Sequence, residues 1–381
     1  MLNTANEVLK MIINHGYKAY IVGGYPRDMY LNKESVDIDI CTNATPKDLK
    51  EIFKSSILPK QEYGGVTVVL NNIRFEITTF RKEIKYENNR FPVKIKYIDY
   101  LIDDLKRRDF TINTLCLDIN GEYIDLLNAR TDIDNKIIKT VGNSDKKIED
   151  DILRSLRAIR FATILNFKLD EELKKSIMKY GYLLKNLSYY RKKDELDKIF
   201  SSPNAKYGID LIKELKLQEY LELNNFDKLV ITSPIAIWAQ LDVLDKYNFS
   251  SSEKEIIENV NKVMKLDLFD NHTLYKYGLY VCTLVAEIKK IDRKIIISNY
   301  NNLQIKAPNE IVLKGLDICS ILNKKPGAYL KTIINDIEEK IITNNLLNTK
   351  EDLSKYILDN YWNNVDLLIK ILYNLINNRR W

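Results

Sequence analysis

One change of periodicity, near Val141–Gly142, constrains this chain more than any other feature. Before it, helix and strand signals alternate. After it, apolar residues recur at three- and four-residue spacing with very little glycine or proline between them, which predicts packed helices. The 381 residues give room for two or three domains at about 150 residues each. Hydrophobic residues at 45% and charged residues at 29% exclude disorder, collagen and coiled coil. Cys41, Cys116, Cys282 and Cys319 lie far apart with no C-x-x-C spacing, which argues against a disulfide framework and a zinc site. No apolar run approaches the roughly 18 residues of a membrane span, and MLNTANEVLK lacks the basic start and apolar centre of a signal peptide, so a cytoplasmic location is expected. The net charge of +6 is mild for a nucleic-acid binder and decides nothing unless it is clustered.

Within the first 140 residues, Asn3 and Thr4 are capping candidates for a helix that Gly16 ends. KAYIVGG is a short strand running into a glycine pair, and the next helix follows at once. VDIDICT alternates apolar and acidic residues with strand period, and Thr45-Pro46 forms an N-cap and N1 pair. GVTVVL, Asn71-Asn72 and IRFEITTF predict a hairpin, with a second centred on Asn120-Gly121. Arg81 to Asp99 mixes charge, Asn and Pro92 without period and is read as a mobile loop. Past Asp145 the pattern is helical, with a break at Phe200 to Pro203, and the C-terminal half shows no chemistry.

Four clusters carry chemistry. Asp37 and Asp39 stand two apart in the predicted strand, so both carboxylates share a face. That arrangement suits magnesium, which takes one or two protein carboxylates and completes its shell with water and phosphate; the plainer reading is a solvated acidic pair. Glu76 either adds a third carboxylate from the hairpin or points to water. In GGYPRD, Gly23 and Gly24 let backbone amides approach a phosphate at a helix start, and Arg27 offers a guanidinium to phosphate oxygens; the alternatives are a tight turn and an Arg27–Asp28 ion pair. In KRRDFTIN, Arg107 and Arg108 suit bidentate recognition of triphosphate or ribose, with Asp109 placed to fix one of them, against a solvated basic face; Phe110 and Ile112 read as core. DDILRSLRAIRF reads as one helix in which Asp151 and Arg154, three apart, jointly face a planar base edge or form an intrahelical salt bridge. Three-residue steps drift about 60° each, so Arg160 should lie nearly opposite Asp151, and the later arginines touch phosphate, RNA or neighbouring acids.

In this order and spacing, GGYPRD, VDIDICT, TFR, RRDFTIN and DILRSLRAIRF resemble the bacterial class II tRNA nucleotidyltransferases, the CCA-adding enzymes, and their relatives the bacterial poly(A) polymerases. The resemblance covers about the first 200 residues. It implies an α+β fold class: an N-terminal nucleotidyltransferase (polymerase β-like) mixed sheet with helices, followed by an all-α neck, body and tail. The implied domains are a catalytic head over 1–140, a nucleotide-selecting neck over 141–203, and a tRNA-binding body and tail over 204–381. Asp37 and Asp39 are then catalytic and bind Mg2+; Gly24, Arg27 and Arg108 hold the incoming nucleotide. Asp151 and Arg154 act as a protein template for the base of CTP or ATP, with Arg157 and Arg160 also in the nucleotide site. The chain departs from the family in having Asp150-Asp151 where Glu-Asp is usual, with Glu149 one place earlier, and Tyr190 where an acidic residue is common. It has only His15 and His272, with no His-Asp pair, so the phosphohydrolase domain of some relatives is not expected.

The chemistry implied is attack of an RNA 3′ hydroxyl on the α-phosphorus of a nucleoside triphosphate with release of pyrophosphate. Cytosine and adenine both show an exocyclic amine donor beside a ring-nitrogen acceptor, so one protein pair can accept both and reject uracil and guanine. The expected partners are tRNA, CTP and ATP, with oligomeric state open between monomer and homodimer. The alternatives are a poly(A) polymerase, an enzyme adding only CC or only A, and a catalytically silent RNA-binding protein on the same fold. The Arg81 to Asp99 loop favours full CCA addition, because the resemblance implies that this loop aids the switch from C to A.

Overall fold

In the computed structural model, residues 2–35, 37–54, 57–58, 64–87 and 91–362 are described. They form two compact units, Met1–Pro234 with Leu241–Asn248, and Ile235–Gln240 with Phe249–Trp381.

The first unit opens with α1 (Leu2–Asn14), which begins ahead of Asn3 and Thr4, so neither caps it; Gly16, at φ +88°, turns the chain out of it as expected. Next come β1 (Ala19–Val22), α2 (Gly24–Tyr30), β2 (Asp39–Thr42) and α3 (Pro46–Ile52), the last opened by a Thr45–Asp48 capping box with Pro46 behind it. The strands β3 (Ile57–Leu58), β4 (Gly65–Leu70) and β5 (Ile73–Thr79) follow, and Asn71 and Asn72 both take positive φ in the tight turn between β4 and β5. Arg81 to Asp99 is not a loop. Its described part is a β-hairpin of β6 (Arg81–Glu87) and β7 (Phe91–Tyr97), with register irregularities near Lys85. Backbone pairing needs no apolar face, so charge and Pro92 concealed a two-stranded ribbon. Then come α4 (Leu101–Arg107), and β8 (Cys116–Leu117) with β9 (Tyr123–Ile124), which form the hairpin predicted around Asn120-Gly121.

The sheet has the order β3-β4-β5-β2-β1-β8-β9, with β2 and β5 parallel and the other neighbours antiparallel. Period two separates its faces. Ile21, Ile38, Ile40, Phe75 and Ile77 point into a core closed by Val8, Leu9 and Ile12 of α1 and Leu49 of α3. Val22, Cys41 and Cys116 point the other way and meet Leu101 and Leu105 of α4.

Helices dominate from there: α5 (Ala129–Asp134), α6 (Ser144–Asp150), α7 (Leu153–Leu165), α8 (Glu171–Tyr180), α9 (Tyr189–Phe200) and α10 (Ala205–Glu214), with Phe200 to Pro203 breaking the chain between α9 and α10 as read from sequence. The exception is β10 (Ile137–Ile138) paired in parallel with β11 (Lys168–Leu169), which ties residues on both sides of Val141–Gly142 together. DDILRSLRAIRF is not one helix. Asp150 ends α6, Asp151 is extended at φ −146° and ψ 99°, and α7 starts at Leu153. The second unit is helical, with α11 (Pro234–Gln240), α12 (Ser251–Val263), α13 (Asn271–Lys289), α14 (Arg293–Asn301), α15 (Gly315–Leu322), α16 (Tyr329–Ile342) and α17 (Lys350–Tyr361); Ile318, Ile333, Ile337, Ile341 and Leu353 form its core. No helix among the described residues is long and apolar enough to cross a membrane.

Candidate active site

The strand predicted to carry both aspartates begins only at Asp39, and Asp37 precedes it. The alternation nevertheless survives. Asp37 and Asp39 are exposed while Ile38 and Ile40 are buried, so extended backbone turns both acids away from the α1/α3 core. Glu76 is the parallel-register partner of Asp39 on β5 and, like it, is exposed on that face. Desolvation in this recess raises the Asp39 carboxyl above its ordinary value, Glu76 and Asp37 add to the rise, and Arg108 opposes it. Asp37 and Glu76 are thus both in electrostatic reach of Asp39, although among the described residues no group of three or more His, Cys, Asp or Glu side chains is arranged to hold a metal ion. Asp37 and Asp39, open to solvent on one face, fit a hard divalent ion that keeps most of its shell for water and phosphate.

Gly23 lies against this pair. Its φ of +90° is a conformation L side chains rarely adopt, and a Cβ there would stand 3.3 Å from Asp39 Oδ2. Gly24 begins α2 with its Cα hydrogens toward Arg27, whose Nη2 would lie 3.5 Å from an added Cβ. Arg27 is only 7% exposed. Its Nε donates to Asp28 Oδ1 at 2.9 Å, Nη2 to Asp28 Oδ2 at 3.0 Å, and Nη1 to Asn113 Oδ1 at 2.7 Å. The ion pair offered as an alternative for Arg27 and Asp28 is therefore present, and it fixes the guanidinium beside the glycine turn.

Arg107 and Arg108 are fixed by an acid other than the expected Asp109. Asp104, fully buried, accepts from Arg107 Nε at 2.8 Å and from Arg108 Nη2 at 3.4 Å, and its Oδ1 also accepts the Arg81 N–H at 3.1 Å. Lys147 of α6 donates to the Lys106 and Arg108 carbonyls at 2.8 and 2.9 Å, tying α6 to the end of α4. Phe110 and Ile112 are fully buried, as read from sequence.

Asp109 instead holds Arg157 of α7, whose Nε and Nη2 donate to Asp109 Oδ2 at 2.8 and 2.5 Å. Its Oδ1 accepts from the Phe110 N–H at 2.8 Å and Asn113 Nδ2 at 3.1 Å. Burial works against that charge, yet Arg157 above all and then these donors hold the carboxyl well below the usual range. Arg160 Nη1 lies 3.1 Å from Glu195 Oε2 on α9. Burial lowers Arg160 and raises Glu195, and each is the main opposing charge on the other. Arg154, 6% exposed, donates from Nη1 to the Lys147 carbonyl at 2.7 Å, and its N–H donates to the Asp151 carbonyl at 3.1 Å. Asp151 Oδ1 accepts the Leu153 N–H at 3.1 Å. Asp151 and Arg154 are thus neighbours at a helix start, where the non-helical Asp151 departs from the geometry expected of an uninterrupted helix.

Asn113, Asp104, Glu195 and Phe161 escaped the sequence reading. Asp104 had a signal, standing three and four residues before the two arginines on a helix. Phe161 and Asn113 also lie within a turn of Arg157 and Asp109, whereas Glu195 and the Asn113 contact with Arg27 are joined to the site by tertiary packing.

An open pair of acids on a mixed sheet, a glycine turn and a surrounding set of held arginines define a nucleotidyltransferase. Models of three families match the chain: the poly A polymerase head domain over residues 19–139, the probable RNA and SrmB-binding site of polymerase A over 166–226, and a putative tRNA nucleotidyltransferase domain 2 over 236–357. The CCA-adding enzyme of Lactococcus lactis is 34% identical over 373 residues, covering 90% of this chain and 94% of that one. The chain belongs to the family of CCA-adding enzymes. The crystal structure of the Bacillus stearothermophilus CCA-adding enzyme in complex with CTP superposes with a TM-score of 0.78 at 26% identity, over 93% of this chain and 96% of that one. The Thermotoga maritima CCA-adding enzyme complexed with tRNA shares the fold, with a TM-score of 0.72 at 18% identity over 94% of each chain.

Proposed function

We propose that this chain is a template-independent tRNA nucleotidyltransferase that adds C, C and A to the tRNA 3′ end from CTP and ATP, releasing pyrophosphate, and that it acts in the cytoplasm. One observation carries the reading: Asp37 and Asp39 alternate with buried Ile38 and Ile40 on the open side of the sheet, next to a Gly23 turn with no side chain between it and Asp39. Asp37 and Asp39 would hold Mg2+, which when bound activates the attacking 3′ hydroxyl and neutralises charge on the leaving pyrophosphate. Gly24, Arg27 and Arg108 bind and orient the triphosphate, and their charges are set in place by Asp28, Asn113 and Asp104 before it arrives. Asp151 and Arg154 read the base edge, with Arg157 and Arg160 beside them. Residues 1–140 serve as the catalytic head, 141–203 as the neck that selects nucleotides, and 204–381 as the body and tail that hold tRNA.

The poly A polymerase description of the matching head is the one observation favouring a second reading, addition of A alone or in long tails; similarity to a CCA-adding enzyme over 90% of the chain favours the first. The test is purified protein with magnesium and tRNA ending before CCA, supplied with CTP, ATP or both, and products sized on a gel. Addition of C, C and A followed by arrest is expected. A long A tail overturns the first reading, and no addition under any condition leaves an RNA-binding protein.

A further inference from the structure

Three guanidiniums converge on one half-buried ring. The Phe161 ring centroid lies 5.3 Å from Arg27 Cζ, 5.5 Å from Arg157 Cζ and 4.4 Å from Arg160 Cζ, while Phe110 packs edge-on at 5.8 Å. Arg157 is four residues before Phe161, so helix geometry alone brings the two together, whereas Arg27 arrives from α2 through the fold. Like charges this close repel. Each is matched by its own carboxylate: Asp28 for Arg27, Asp109 for Arg157, Glu195 for Arg160.

The carboxylates engage only part of two of these guanidiniums. Arg157 uses Nε and Nη2 on Asp109, and Arg160 uses Nη1 on Glu195. Among the described residues, Arg157 Nη1 and Arg160 Nε and Nη2 make no hydrogen bond, and none of them is sealed from solvent. An attraction to an aromatic face fixes a guanidinium without consuming any N–H donor, unlike a further carboxylate, which would take the donors a ligand needs.

Resting on the function proposed above, we infer that Phe161 is a positioning residue of the nucleotide site. Its ring holds the Arg157 and Arg160 guanidiniums, with Arg27 on the same ring, so that the N–H donors left by Asp109 and Glu195 remain available to a nucleoside triphosphate. The ring acts through its electron-rich face as well as its volume.

The experiment replaces Phe161 with phenylalanines bearing one, two and three fluorines, which drain the face of negative charge while nearly keeping the shape, and with leucine (Phe161→Leu), which removes the ring. CTP and ATP affinities are measured by titration on the full chain, alongside KM and kcat with tRNA lacking CCA. Phe161→Leu should weaken both nucleotides about tenfold, a size between those of exposed and desolvated cation–π contacts, with KM rising and kcat nearly constant. Affinity should fall stepwise with each fluorine at unchanged thermal midpoint. Affinity that is flat across the fluorine series overturns the inference and leaves the ring as packing, including where the leucine variant does not fold. If the wild type binds CTP with the stepwise fluorine response yet extends no tRNA, the proposed function fails while the positioning role stands.

Discussion

Replacing Asp37 with alanine removes one carboxylate from the open face and leaves Ile38 and Ile40 in the core, so chemistry and stability separate at this position. Asp37→Ala should abolish nucleotide incorporation while tRNA binding by filter retention changes less than about twofold, because phosphate contacts elsewhere supply most of the affinity for RNA. Asp109 sits differently. Held well below the ordinary carboxylate range chiefly by Arg157 against the cost of burial, it stabilises the fold above the unfolded carboxylate value near pH 4 and loses that contribution as pH falls toward its folded value. Asp109→Asn should therefore cost about 2 kcal/mol at pH 7, a figure discounted because the Arg157 side chain is one-third exposed. In denaturant titrations the gap from wild type should narrow below about pH 4; a gap that stays constant with acidification would show that Asp109 contributes shape rather than charge.

Elements meet at points where an added atom is strained or crowded. Gly23 joins β1 to α2 at φ +90° with Asp39 Oδ2 at 3.3 Å from an added Cβ, so Gly23→Ala should cost about 2 kcal/mol of backbone strain and lose most incorporation. Retention of full kcat in that variant would mean that the turn does not set the position of Asp39. At the other side of the site, α10 crosses α7 and α9 through Gly208, where an added Cβ would overlap Thr163 Oγ1 and Ile199 Cγ2. Gly208→Ala should then lower stability by about 2 kcal/mol through overpacking, and because α7 carries Arg157 and Arg160 and α9 carries Glu195, KM for nucleotides should rise as well. A thermal shift with unchanged KM would show that the helices yield elsewhere.

Across the whole molecule, every site residue named above belongs to the first compact unit. Ile337, 1% exposed in the core of the second, offers the contrast. Ile337→Ala should cost about 3 kcal/mol by cavity formation, read as an earlier denaturant midpoint, while CTP affinity stays at the wild-type value. A parallel loss of CTP affinity would place part of the nucleotide site's support in the second unit.

The sequence by itself determined what short-range geometry governs: the period-two face that turns Asp37 and Asp39 outward, the Asn71-Asn72 and Asn120-Gly121 turns, the Thr45-Pro46 helix start and the apolar spacing of the helical half. Arg81 to Asp99 was illegible because a charged ribbon is held by backbone hydrogen bonds that leave no trace in side-chain pattern. The break at Asp151 was hidden because i to i+3 spacing looks the same whether or not a helix is continuous. The partners of Arg157 and Arg160, and the contact of Arg27 with Asn113, were decided by tertiary structure alone. Asp109 and Arg157 are 48 positions apart, Arg160 and Glu195 are 35 apart, and Arg27 reaches Asn113 across 86. A buried charge takes the partner that packing places within reach, and only the folded chain sets those distances.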